Sequence, residues 1–211
     1  MEELIRKAAS VIAVRPGPAA PEVLVLERSP ASRFLPGYVV FPGGAADAGD
    51  AALAARWFGS ADEAARACAV RELAEETGLL LTRDGLVGDG DLDSLDGREP
   101  EAAQLGELAR WIAPEEVPVR FDARYFVVEA GPDLDPTPDG TEVVAGWWTS
   151  PRELLLQWEA GRRRLYWPTW FTVQALAGAE TARDVLDLQL RTREPGDDEV
   201  ERLPRSVFWQ D

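Results

Sequence analysis

Residues 60–78 constrain the chain more than any other stretch. Ser60 and Glu63 have the spacing of a capping box, in which each side chain satisfies an otherwise unpaired backbone N–H at a helix start. Residues 61–76 hold only helix-tolerant types, and Gly78 falls where a left-handed C-terminal cap is wanted. Ala67, Val70, Leu73 and Ala74 make one side of this helix apolar. At ~100° per residue, Glu75 and Glu76 lie about 60° and 40° to either side of Glu72. The helix must therefore lay its apolar side on another layer while holding three carboxylates on one stripe near its C-terminal end.

That stripe is costly. Carboxylates repel at this spacing, and the negative end of the helix dipole adds to the penalty. Arg71 offsets part of it through an i,i+4 contact with Glu75, and a divalent cation offsets far more. An all-oxygen donor set suits Mg²⁺ or Mn²⁺.

Around the helix the chain reads as strands first and helices late. Residues 10–14 are a short β-branched run closed by Pro16-Gly17-Pro18, and residues 22–28 alternate as a second strand. Residues 38–41 form a short buried strand running into Pro42-Gly43-Gly44, and residues 79–82 leave the helix as another. The strongest later strands are residues 120–129 and 142–149. Residues 101–110 read as a short helix; Ser150-Pro151 opens a helix to about residue 160, with Pro at its first position. A further helix runs over residues 168–176. The Ala- and Asp-rich residues 45–60 carry no clear pattern, and the Asp- and Gly-rich residues 84–100 read as an exposed acidic loop. The order predicts one mixed-sheet domain of α/β/α or α+β class over residues 1–190. Residues 191–211 follow as a polar tail in which Val207-Phe208-Trp209 could dock.

Composition narrows the chemistry. The chain has 211 residues and no histidine, which removes Ser-His-Asp and Cys-His machinery and histidine-bound zinc or haem. The single cysteine, Cys68, excludes an internal disulfide or thiolate cluster and reads as a small packed residue. A net charge of −16 argues against nucleic acid and anionic membrane as partners, while leaving room for a small anionic substrate. No apolar run is long enough to span a bilayer, and the first residues lack a signal-peptide pattern, so a cytoplasmic protein is expected. The eight tryptophans read mainly as packing residues, with adenine stacking a lesser alternative for Trp147, Trp148, Trp167 or Trp170. Arg162-Arg163-Arg164 follows a helix end, where positive charge is favoured.

Arg71-Glu72-Leu73-Ala74-Glu75-Glu76-Thr77-Gly78-Leu79, preceded by Phe41-Pro42-Gly43-Gly44, resembles the Nudix box, Gly-x5-Glu-x7-Arg-Glu-U-x-Glu-Glu-x-Gly-U with U bulky and aliphatic. The right-hand half matches at every specified position. In the left-hand half, five residues after Gly44 comes Asp50, whereas counting back from Arg71 reaches Glu63; an insertion near residues 45–60 separates the two halves. Either residue, or neither, joins the metal site, and Glu63 also has its structural task in the capping box.

Upstream, Arg28-Ser29-x3-Arg33-x3-Gly37-x3-Phe41-Pro42-Gly43-Gly44, with Asp47 and Asp50, is similar to the signature of coenzyme A diphosphatases of that family. The insertion, and the Arg120-Phe121-Asp122 strand ending Tyr125-Phe126, resemble the acyl-CoA branch. The terminal Phe-Trp-Gln-Asp is no peroxisomal address, so the resemblance carries chemistry and not location. It implies a Nudix-type α/β/α sandwich with a mixed central sheet. It implies that Arg71, Glu72, Glu75 and Glu76 are catalytic, with Glu72, Glu75, Glu76 and Glu142 as metal ligands. Arg28, Arg33, Gly43 and Gly44 would bind substrate, the arginines forking onto phosphate. The implied reaction is Mg²⁺- or Mn²⁺-dependent attack of water at phosphorus, splitting CoA into adenosine 3′,5′-bisphosphate and 4′-phosphopantetheine. Without histidine, the base must be a carboxylate (Glu76, Glu72 or Glu142) or a metal-bound hydroxide. The box reads only metal and diphosphate, so ADP-ribose, NADH, a nucleotide sugar or a dinucleoside polyphosphate are alternatives. A non-catalytic nucleotide-binding module of the same fold and a plain acidic interaction protein are the others. A homodimer, common in the family, is compatible with the tryptophan count.

Overall fold

The structure, a computed structural model, describes residues 5–88, 90, 92–95, 97–113 and 120–193. Strand β1 (Arg6–Arg15) is its axis. Ala9, Val11 and Ala13 point into one apolar layer and Ile12 and Val14 into the other, so both faces are covered and the run reads as nearly continuous apolar residues. β2 (Glu22–Arg28) returns antiparallel to it, pairing Val14 with Val23, and β3 (Tyr38–Val40) pairs antiparallel with the far end of β2. β4 (Gly43–Ala45) lies along the early part of β1, with Ser10 opposite Gly43 and Ala9 opposite Gly44.

α1 (Asp50–Phe58) fills the stretch that carries no sequence pattern and stops at Gly59, which adopts the left-handed conformation at φ +77°. A turn of 3₁₀ helix leads into α2 (Ala64–Thr77), which ends on Gly78 at φ +67°. β5 (Leu80–Thr82) and β6 (Gly85–Val87) make a small separate hairpin. β7 (Gly106–Ile112) pairs antiparallel with β8 (Phe121–Glu129), and β8 runs parallel to β1 from Arg6 opposite Phe121 to Val14 opposite Glu129. β9 (Val143–Thr149) pairs with β2, and α3 (Pro151–Glu159) follows. Ser150 caps α3 by accepting the Glu153 N–H at 3.2 Å. β10 (Arg164–Leu165) adds to β3; α4 (Trp167–Leu176) and α5 (Ala182–Leu186) complete the chain's helices among the described residues.

The main sheet is ordered β10-β3-β2-β1-β8-β7, with β4 on β1 and β9 on β2. α1 and α2 pack on one face and α3, α4 and α5 on the other, which is the expected mixed-sheet sandwich of α+β type. Among the described residues no helix is long and apolar enough to cross a membrane.

Four local expectations are corrected. Residues 101–110 are not a helix: Glu101 and Gln104 do form a capping box, but it opens only one 3₁₀ turn before β7. A bulge in β7 between Glu107 and Ala109 breaks the two-residue period, so buried Leu108 and Trp111, with Leu105 just before the strand, fall at helix-like spacing. At residue 60 the expected reciprocal cap is replaced. Ser60 Oγ accepts the Asp62 N–H, and Glu63 pairs with Arg66. Within residues 84–100, β6 and a 3₁₀ turn at Leu92–Leu95 replace part of the expected loop. Finally, Arg193 donates its N–H to the Arg110 carbonyl and accepts from Ile112, so residues 191–193 lie along β7. Val207-Phe208-Trp209 lies outside the described residues.

Candidate active site

Two glycines decide where the carboxylates sit. Gly43, at φ +153°, presses so closely on β1 that its N–H reaches across to α2 and donates to Glu76 Oε2 at 2.9 Å. Gly44 is the next contact: a Cβ there would stand 2.5 Å from Glu72 Oε1. The Phe41-Pro42-Gly43-Gly44 segment is thus a backbone wall against which the α2 stripe packs. It buries Glu76 to 4% exposure and leaves Glu75 open to solvent.

Burial pushes the Glu76 carboxyl up to about 8, with Glu72 and Glu142 adding to it and the Gly43 N–H and Arg28 opposing. Its Oε1 is buried with no hydrogen-bond partner. Burial also raises Glu72, against the pull of Arg71. An all-oxygen site with one such orphaned buried oxygen fits a hard divalent cation. Among the described residues no three acidic side chains already converge on one point. Arg71 Nη1 holds Glu72 Oε1 at 2.8 Å and Glu75 Oε2 at 2.9 Å.

Arg71 itself is held from behind. Asp50, 1% exposed, takes Nε at 2.9 Å and Nη2 at 3.2 Å in a bidentate fork, and the Ala45 carbonyl accepts from Nη2. The count forward from Gly44 therefore finds the residue that meets the box, whereas Glu63 is at the distal end of α2 with Arg66. The intervening insertion is the body of α1 and the 3₁₀ turn, which return the chain to α2. Asp50→Ala should cost about 1.5–3 kcal/mol, since it removes the buried bidentate partner of a charged guanidinium that is only 14% exposed and leaves it to Glu72, Glu75 and the Ala45 carbonyl. Glu63→Ala, removing a half-exposed pair, should cost less than about 1 kcal/mol. Urea denaturation of both variants checks the contrast; equal effects would deny Asp50 its role as the anchor of Arg71.

Glu142 arrives from the loop before β9. The Asp139 carboxylate accepts the N–H groups of Thr141, Glu142 and Val143 at 3.2, 3.0 and 2.9 Å, and Ser29 N–H donates to the Glu142 carbonyl at 2.8 Å. These bonds hold Asp139 below the usual carboxylate range against a desolvation that would raise it. They also tie this turn to Arg28, whose Nε donates to the Phe34 carbonyl at 3.0 Å.

Arg28, Gly43, Gly44, Arg71, Glu72, Glu75, Glu76 and Glu142 all line one cleft of about 640 Å³. Arg33 is exposed and outside its lining. Cys68 is buried behind the box, its thiol pushed up to about 12 by burial first and Asp50 next, so it stays an inert packed residue. Of the tryptophans singled out, only Trp167 reaches the cleft. Trp147 lies under Arg163, which also pairs with Glu27 at 2.5 Å; Trp148 lies under Arg15 and Trp170 against Trp158. Asp50 and Asp139 are the site-building residues that counting along the chain leaves undecided or unmarked. A signal existed for Asp50 in the Gly-x5 spacing; Asp139-Gly140 shows only as a turn pair.

A model of the NUDIX domain matches residues 4–171. The crystal structure of a Nudix hydrolase from Alicyclobacillus acidocaldarius is 32% identical and superposes at a TM-score of 0.79, covering 90% of this chain and 98% of that one. Nudix hydrolase 7 of Caenorhabditis elegans is 30% identical over 173 residues, 74% of this chain and 55% of the relative, so the chain spans about half the length of that curated relative. A Deinococcus radiodurans protein, DR0079, shares the fold at 17% identity and a TM-score of 0.50, with 81% and 82% of the two chains covered. With the Arg71-Glu72, Glu75-Glu76 and Gly78 pattern set on a Nudix-type sandwich, this chain belongs to the Nudix family of hydrolases.

Proposed function

We propose that the protein hydrolyses the diphosphate linkage of CoA or acyl-CoA with Mg²⁺ or Mn²⁺. The observation that carries this reading is the presence of Arg28 in the same cleft as Glu72, Glu75, Glu76 and Glu142. Glu72, Glu75 and Glu76 would hold the cation, with Glu142 facing them. When bound, the cation neutralises the diphosphate and acidifies a water.

The chain's own residues do the rest. Gly43 N–H orients Glu76 through Oε2, leaving Oε1 without a hydrogen-bond partner. Asp50 fixes Arg71, which holds Glu72 and Glu75 together through one nitrogen. Arg28 binds phosphate through its guanidinium. With no histidine in the chain, a carboxylate oxygen takes the proton of the attacking water. Glu142 suits that task because Asp139 and Ser29 hold its backbone in place. Water adds to one phosphorus, the bridging P–O bond breaks, and adenosine 3′,5′-bisphosphate leaves 4′-phosphopantetheine behind.

Chromatography of products from CoA, acyl-CoA, ADP-ribose, NADH and diadenosine tetraphosphate, with Mg²⁺ or Mn²⁺ and an EDTA control, is the test. Adenosine 3′,5′-bisphosphate is expected preferentially from CoA or its thioesters. Preference for another member would replace the substrate and keep the site. No metal-dependent product from any would favour a nucleotide-binding module without turnover.

A further inference from the structure

The cleft is lined by more than its carboxylates, and the rest of its lining is built differently. On the sheet face below it, Ala8 on β1 lies opposite Ala123 on β8, and Ala123 opposite Trp111 on β7. Two methyl groups side by side leave a hollow in the sheet surface, and Phe34, Phe121, Tyr125, Tyr166 and Trp167 wall it.

These rings are poor seats for a nucleobase. Trp167 and Trp111 are 1% and 2% exposed, and Tyr125 and Tyr166 are 7% and 8%, so none offers an open face for stacking. They are spent on one another at steep angles: Trp111 meets Trp167 at 89° and Phe34 meets Tyr166 at 81°. Phe34 and Phe121 are more open but tilt together at 54° with centroids 5.5 Å apart. Groups able to read a base edge are scarce as well. The chain contains no asparagine, no glutamine lines the cleft, and the Tyr125 hydroxyl is engaged with Ser10 and Thr169. Beside the Ser10 and Thr169 hydroxyls, which meet Tyr125, the lining here is alanine methyls, aromatic rings and Leu35, a mostly apolar surface with few directional demands.

We propose that this aromatic end takes a neutral aliphatic arm carried by the substrate's diphosphate, and that the nucleoside lies outside it. The proposal rests on the carboxylate end being the diphosphate site. Ala123 is then a specificity residue, because its small side chain keeps the hollow open.

The test is calorimetric binding, with Mg²⁺, of non-hydrolysable methylenediphosphonate monoesters bearing methyl, butyl or octyl groups, beside the adenosine 5′ ester. Affinity is expected to rise about fourfold per added methylene until the hollow is filled. Ala123→Leu should erase that gain and leave the adenosine ester unchanged. Affinity independent of chain length, or an adenosine ester weakened by Ala123→Leu, would overturn the proposal and put the base in the hollow. Failure of every diphosphonate to bind with Mg²⁺ would overturn the diphosphate reading beneath it, and this proposal with it. The chain-length series on the unsubstituted protein decides the matter even if Ala123→Leu does not fold.

Discussion

Glu76→Gln is expected to lower metal-dependent turnover by on the order of 10³-fold while making the metal-free protein more stable at pH 8. Both effects come from one carboxylate. Its Oε2 is satisfied by the Gly43 N–H, and its Oε1 is buried without a partner. Burial, reinforced by Glu72 and Glu142, raises its pKa from 4.5 to about 8. A carboxyl raised on folding contributes its stabilisation fully below the unfolded value and loses it as pH climbs through the folded one. The metal-free wild type should therefore lose stability from about pH 5 to pH 8 through this group, and the glutamine variant should not. At pH 8 the variant's gain is on the order of a few kcal/mol, because the amide carries no charge to desolvate where the carboxylate does. Mg²⁺ should raise the wild-type melting temperature more at pH 8 than at pH 6, because at pH 6 it must displace a proton. The variant should show little Mg²⁺ response. Wild-type turnover in a folded Glu76→Gln protein would take Glu76 out of the chemistry. A stability gap that does not change with pH would take away the burial argument.

The neighbouring glycines should fail in opposite ways. At Gly43 a Cβ would meet the Ala9 carbonyl oxygen at 2.4 Å and Ser10 Cα at 2.6 Å, and φ is +153°. Both obstacles are backbone of the central strand, so nothing yields. Strained φ and overpacking together put Gly43→Ala at about 4 kcal/mol of lost stability, enough to leave little folded protein. At Gly44 the obstacles are the carboxylate atoms of Glu72, at 2.5–2.6 Å. That side chain can swing away. Gly44→Ala should keep the fold to within about 1 kcal/mol and still lose turnover on the order of 100-fold, the usual effect of a catalytic group displaced by an ångström. Denaturation and turnover measured on both variants separate the two. A Gly43→Ala protein of wild-type stability would contradict the close approach of β4 to β1.

What was legible in the amino-acid sequence was whatever a single turn of chain encodes. Glu72, Glu75 and Glu76 share a stripe because helical spacing alone puts them there, and Gly78 and Ser150-Pro151 mark helix ends through bonds to residues three or four places away. The mixed sheet was readable from those local relations, and the family from the motif that residues 71–79 spell out. Whatever depended on distant parts of the chain meeting was not legible. Glu75 and Glu76 are equivalent on the stripe, and only β4 lying over one flank buries Glu76 and exposes Glu75. Asp50 and Glu63 were equal by counting until α1 carried Asp50 back onto Arg71. Residues 101–110 carried helix signals that lost to strand pairing once β8 was alongside, with a bulge disguising the period. Arg28 and Arg33 shared one motif, but only Arg28 lines the cleft. Ala8 and Ala123 have nothing in common along the chain, and the parallel register of β1 with β8 alone makes them neighbours. Local spacing sets which groups can act together within a turn; burial and partner choice are settled by packing, which the tertiary structure alone decides.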